Sequence, residues 1–204
     1  MKPKEINGVP IQHKGASQDN ESYRKIVNAE ETEQKFTILK ERFFSVNSWK
    51  EYCGECSADF QLFDHQGNKI NRKPIKGDHI RIDIPGPGDL EAQGYDWVEI
   101  VDCGERVCEQ EELESFIMTC RPCRKPESKN PYVAHFYAQE STSTIIISRG
   151  KDYLKAGAYL RNEVSNKDTG FFNRIRNFFI SIAGDIRFTK AQWKNLSEGL
   201  LDFN

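Results

Sequence analysis

Apolar positions change their period along this chain, and the changes mark its elements. Residues 1 to about 34 hold no sustained period. Scattered Gly and Pro among polar side chains predict a flexible tail there, with a short helix around Ser22 to Glu33. Phe36, Leu39, Phe43 and Val46 then recur at steps of three and four, the spacing of one helical face. A second reading of the same stretch makes Lys35 to Leu39 a strand and Ser48 to Tyr52 a short helix, with Asn47-Ser48 before Trp49 as its cap.

From Phe60 the period drops to two. Phe60-Gln-Leu62 runs into the turn cluster Asp64-His-Gln-Gly-Asn68. Ile80-Arg-Ile82-Asp-Ile84 alternates cleanly, with three isoleucines on one side and Arg81 and Asp83 on the other. Tyr95 to Val101, Phe116 to Cys120, Val133 to Tyr137, Thr144 to Ser148 and Tyr153 to Leu160 complete the strand candidates. Short turn clusters between them favour an antiparallel meander or barrel over βαβ units. After Gly170 the period returns to three and four through Phe171, Ile175, Phe178 and Ile182. A second helix is expected from a Thr189 cap, aligning Trp193, Leu196 and Leu200. The prediction is an α+β domain over residues 35–204. It is a curved antiparallel sheet or barrel of about six to seven strands, with C-terminal helices packed on it.

Composition narrows the function. No apolar run approaches the ~18 residues that span a bilayer, which excludes an integral membrane protein. The 29 Lys+Arg against 31 Asp+Glu, a net charge of −2, argue against a whole-chain nucleic-acid binder. The first residues lack the apolar stretch of a signal peptide, so a cytoplasmic location with reduced cysteines is expected.

Charge is unevenly spread. Residues 78–114 carry twelve acidic and two basic side chains, a net of −10, so the remainder carries +8. Such a dipolar surface can steer a protein partner or a second copy, which would make the chain an assembly or interaction subunit. The plainer reading is a solvated loop over Glu109 to Glu114.

Chemistry-bearing residues are few. Six cysteines fall in three close pairs, two of them CxxC: Cys53 with Cys56, and Cys120 with Cys123. Two such knuckles make a four-cysteine zinc site, since thiolates three residues apart can hold one tetrahedral metal. The 63 residues between Cys56 and Cys120 exceed the roughly 15 to 20 of a compact ribbon, and small semi-buried packing residues are the simpler reading. No Ser-nucleophile elbow, P-loop, zinc-protease helix or dinucleotide fingerprint is present, which lowers the case for an enzyme. The carboxylates Asp83, Asp89, Glu91 and Asp96 do not have EF-hand spacing. Two Pro-Gly steps in Pro85-Gly-Pro-Gly88 stiffen a loop that can rim a pocket. The expected function is a non-catalytic binding protein for an apolar or mixed small ligand. Its pocket, between the sheet and the C-terminal helix, would involve Tyr95, Trp97, His135, Tyr137 and Phe178.

Several segments, among them Asn47-Ser-Trp-Lys-Glu-Tyr52, Asp83-Ile-Pro-Gly-Pro-Gly88, Gly94-Tyr-Asp-Trp-Val98, Arg161-Asn-Glu163 and Gln192-Trp-Lys194, resemble a group of bacterial, Bacteroidetes-type proteins of about this length. That resemblance implies no activity. The order of elements also looks like the helix-grip arrangement of START and Bet v 1 type proteins. There a strand and two helices precede six strands, and a last helix closes the sheet over an apolar cavity. Lys35 to Leu39 would serve as that first strand. The rhythm of Lys76-Gly-Asp78, Ile80 to Ile84 and Trp97 to Val101 is similar to an SH3-like barrel as well. Fold likeness of either kind implies no function by itself.

Overall fold

The computed structural model describes residues 2–54, 58–83, 95–129, 132–135, 137–166 and 186–203. Its elements run β1 (Ala16–Lys25), α1 (Ala29–Phe44), a turn of 3-10 helix (Val46–Ser48), α2 (Trp49–Cys53), β2 (Asp59–Phe63), β3 (His79–Asp83), β4 (Asp96–Glu105), β5 (Glu114–Pro122), β6 (Thr142–Arg149), β7 (Tyr153–Glu163) and α3 (Ile186–Leu200). The seven strands form one antiparallel sheet in the order β1-β7-β6-β5-β4-β3-β2. Among the described residues, one strand and two α-helices precede six strands, and a helix follows them.

Helix α1 shows why the first strand is not Lys35 to Leu39. Asn28 caps it, its side-chain oxygen accepting the Glu31 N–H at 2.8 Å. Glu30 and Glu31 favour the positive N-terminal end and Arg42 the other. Thr32, Phe36, Leu39 and Phe43 then share the buried face. The helix stops at Ser45, whose N–H turns back to Glu41 and Arg42 carbonyls. Trp49 Nε1 donates to the Arg42 and Phe43 carbonyls, each at 3.2 Å, so the first residue of α2 satisfies the open end of α1. Ser48 makes no side-chain cap. Asn47 instead accepts the Leu62 N–H at 2.7 Å and donates to the Ile70 carbonyl, which ties the helix junction to β2.

Strand alternation builds two layers on the sheet. One face carries Phe60, Leu62, Ile80, Val98, Ile100, Met118, Ile145 and Ile147 against Phe36, Leu39, Phe43 and Trp49 of the helices and Leu196 and Leu200 of α3. Each such side chain contributes about 1.5 to 3 kcal/mol by leaving water. The opposite face holds a smaller cluster, Ile117, Ile146 and Tyr159, on which Ile6 and Val9 pack.

Residues 4–14 therefore cross the outer face of the sheet as a strap. Their backbone is held by side chains beneath. Arg161 donates to the Lys4 carbonyl and Arg106 to that of Asn7. Asn162 accepts from His13 N–H at 2.7 Å and from Lys14 N–H at 3.2 Å, and donates to the Ile11 carbonyl. Asn162 holds a left-handed φ of 56°, a conformation that asparagine tolerates better than most residues. The expectation of a loose tail over residues 1–34 is corrected accordingly: this segment supplies the strap, β1 and the start of α1, and no helix begins at Ser22. Polar residues on both sides of β1 leave no hydrophobic period to read.

Two further expectations change. Residues 133–135 are not in a strand, and Tyr137 makes only an isolated bridge. Among the described residues, this stretch makes isolated contacts only, with Trp97 N–H on the Ala134 carbonyl, Ala134 N–H on the Cys123 carbonyl, and a bridge from Tyr137 to Ser165. Helix α3 starts at Ile186, three residues before the Thr189 expected to cap it. The helix expected over Phe171 to Ile182 and the loop at 85–94 lie outside the described residues.

Candidate functional site

The cleft lies where the sheet edge meets the C-terminal helix. Even-numbered side chains of β1 face α3: Ser22 Oγ meets Ser197 Oγ at 3.0 Å, and Arg24 donates to the Leu201 carbonyl at 2.8 Å. Below them α2 abuts α3 so closely that a Cβ on Gly199 would collide with the Tyr52 carbonyl oxygen. Glycine is needed at that crossing for approach, not for φ. Between these elements opens a cleft of about 680 Å³, lined by Ser22, Tyr23, Arg24, Tyr52, Cys53, Gly54, Asn195, Glu198, Gly199, Leu201 and Asp202. The walls combine the Tyr52 side chain with charged groups. Arg42 stacks over Tyr52 at 5.1 Å and over Phe203 at 5.0 Å, where Arg24 also lies, at 5.3 Å.

None of the five residues expected to line a pocket is among these. Trp97 alternates with Val98 and Ile100, which belong to the helix-side core, so it turns to the other face. There it packs against Phe63, ring centroids 5.0 Å apart. Arg81 stacks on Tyr95 at 4.1 Å and reaches Phe63 at 5.7 Å. Phe178 lies outside the described residues.

His135 and Tyr137 do come together. Their ring centroids are 5.9 Å apart, and His135 Nδ1 accepts the Tyr137 N–H at 2.9 Å. That bond leaves the ring proton on Nε2, 3.8 Å from Asp96 Oδ2. Asn166 donates to the Val133 and His135 carbonyls at 3.1 Å each and holds the segment in place. Burial drives the His135 pKa down to about 4, so the ring is neutral near pH 7. A carboxylate at 3.8 Å favours the charged ring, and burial outweighs it. With Nδ1 occupied by a backbone donor, the ring has no free lone pair to act as a base.

The described cysteines of the two CxxC pairs lie in different surroundings. Cys53 and Cys120 sit in the helix-side core, whereas Cys123 follows β5 with its N–H on the Trp97 carbonyl. Burial pushes the Cys53 and Cys123 thiols up to about 12 and raises Cys120 as well, so without a metal all three are neutral thiols near pH 7. Among the described residues, no three His, Cys, Asp or Glu side chains gather where a metal could be held. Cys56 lies outside them.

Five of the twelve acids in the segment have a basic side chain beside them. Asp78 takes a two-pronged contact from Arg72 at 2.7 and 2.8 Å, and Glu114 binds Arg149. Glu112 pairs with Arg106, and Glu99 stands 4.0 Å from Arg121. Internal pairing leaves less field for a distant partner than the net of −10 suggested.

No family model matches the sequence, and no curated protein matches it. Solved structures do. Norcoclaurine synthase from Thalictrum flavum, in truncated form, matches at 10% identity and a TM-score of 0.37, over 96% of this chain and 100% of that one. Ara h 8.0201 matches at 6% identity and a TM-score of 0.32, over 91% and 99%. Likeness at this level says nothing of activity. No helix among the described residues is long and apolar enough to cross a membrane.

Proposed function

We propose that this chain is a non-catalytic binding protein, and that a small ligand of mixed polarity occupies the cleft between β1 and α3. The carrying observation is the cleft itself. Its volume of about 680 Å³ falls in the range of small-molecule sites, and it combines the Tyr52 side chain with a few fixed charges. The general expectation of a site between the sheet and the last helix is kept, with Ser22, Arg24 and Tyr52 among its walls.

Titration with anilinonaphthalene sulfonate tests the reading. Saturable one-to-one binding is expected. It should be lost in Asn195→Trp, which fills the cleft from an exposed position on α3 and leaves the core alone. Unsaturable binding, or binding unchanged by that substitution, overturns it.

A further inference from the structure

Asn7 is the only asparagine of this chain that precedes a glycine. It sits in the strap, in a turn closed by the Val9 N–H on the Ile6 carbonyl at 3.0 Å. Gly8 takes the third place of that turn with a φ of 82°, the conformation for which type II turns use glycine. Both residues are exposed. Among the described residues, the Asn7 side chain makes one long hydrogen bond, Nδ2 to the Val107 carbonyl at 3.4 Å, and the Gly8 N–H bonds to nothing.

An asparagine side chain carries an electrophilic carbon within reach of the next main-chain nitrogen, because few bonds separate them. The Gly8 nitrogen attacks Asn7 Cγ and closes a succinimide ring. Its proton passes to hydroxide, and the side-chain nitrogen leaves as ammonia. Water then opens the ring at either carbonyl. One opening gives aspartate, and the other gives iso-aspartate, whose main chain runs through the former side chain. No oxidant, metal or enzyme takes part. A side chain on the following residue obstructs the attack, and Gly8 has none. Aligning the nitrogen means turning the Asn7 carbonyl, which a 3.2 Å bond from Arg106 restrains.

Neither product suits the place. A carboxylate replaces a neutral amide beside Glu109, which accepts the Asn7 N–H at 2.6 Å. Arg106, the cation at this point, is already shared by Glu109 and Glu112. The iso-aspartyl link also adds a carbon to the main chain between Ile6 and Val9, the two residues that pack on Ile117, Ile146 and Tyr159. Little slack exists to absorb it, since a Cβ on Gly8 would lie 2.8 Å from Ile117 Cδ1.

The structure assigns Asn7 as a site of spontaneous deamidation, whose conversion loosens residues 4–9 from the outer face of the sheet. The modification is one-way and is set by time and pH. It lies on the opposite face from the helix-side core and does not depend on what the cleft binds.

Full-length protein is incubated at mildly alkaline pH and mapped by peptide mass, beside a free peptide of residues 2–14. Conversion at Asn7 in the protein is expected at least about tenfold faster than at any other asparagine, a barrier lower by about 1.4 kcal/mol. The converted form, separated by its added negative charge, should exchange amide hydrogens at residues 4–9 at least about tenfold faster, with the β4–β6 amides unchanged. Asn7→Gln, which must close a larger ring, should abolish the fast site. Asn7 that stays intact in the protein while it converts in the peptide overturns the assignment. So does conversion spread evenly over the asparagines. Conversion with unchanged exchange at residues 4–9 overturns the loosening.

Discussion

His13 is anchored to Asn162 through a 2.7 Å hydrogen bond from its backbone N–H to the asparagine side-chain oxygen, across 149 residues of chain. The same asparagine takes the Lys14 N–H, donates to the Ile11 carbonyl, and gives its own N–H to Gln12 Oε1 at 2.8 Å. One left-handed residue at the end of β7 therefore holds four consecutive residues of the strap. Asn162→Ala removes the side-chain contacts and strains the backbone. A loss of about 2 to 3 kcal/mol is expected. Hydrogen exchange should show faster exchange at residues 11–14, with the β4–β6 amides unchanged. Uniform acceleration across the sheet would contradict a local anchor.

Gly199→Ala sets two effects against each other. Alanine favours a helix interior by about 1 kcal/mol. The added Cβ meets the Tyr52 backbone carbonyl, which cannot rotate away. Overpacking against backbone costs about 1 to 3 kcal/mol, so net destabilisation is expected, read as a lower urea midpoint. A midpoint that rises would show that α2 and α3 separate freely.

Stability should climb with pH in two separate windows. Burial alone would raise the Glu21 carboxyl, but hydrogen bonds from Lys4, Tyr159 and Lys155 overcome it and hold the pKa at about 2, below its ordinary 4.5. Its contribution is present above pH 4.5 and fades as pH falls toward 2. His135, held at about 4 against an ordinary 6.5, is proton-poor in the folded state. Its contribution is present above pH 6.5 and fades as pH falls toward 4. Each amounts to no more than about 3 kcal/mol. Urea midpoints against pH should lose the upper window in His135→Gln and the lower one in Glu21→Gln. Loss of both windows in one variant would mean that neither group is the source.

Thiol labelling should be selective. Of the five described cysteines, Cys108 alone is exposed. Iodoacetamide on the native protein, followed by peptide mapping, should modify Cys108 before Cys53, Cys103, Cys120 and Cys123. Burial lifts the Cys103 thiol to about 11 and Cys53 to about 12. Early labelling at either would show that the helix-side core opens readily.

Most described strands, and the helical faces of Phe36, Leu39 and Phe43 and of Leu196 and Leu200, could be read from hydrophobic spacing, because residues such as Ile80 and Ile82 face the core and alternate with polar neighbours. The first strand could not. Gln18, Asn20, Ser22 and Arg24 face inward on β1, while Asp19, Glu21 and Tyr23 face out, so both faces carry polar residues and no period stands out. The cleft was hidden for the same reason, since three of its walls belong to that strand. Aromatic residues drew attention to Trp97 and Tyr95 instead. Periodicity places them one residue out of phase with the core but does not tell which face holds a site. Val133 to Tyr137 alternates like a strand, yet residues 134 and 137 bond to separate neighbours, a difference that only tertiary contacts decide.

The placement of β1 at the sheet edge beside β7 also sets an order in time. Strands β4 to β7 pair with their neighbours along the chain, whereas β1 pairs residues 16–25 with residues 153–163. Closing so long a loop is slow. During synthesis the first strand can pair only after residues 153–163 have left the ribosome. The strap, whose anchors Arg161 and Asn162 come from the same late segment, can lock only after that. Strand β1 is thus the last strand of the sheet to find its place.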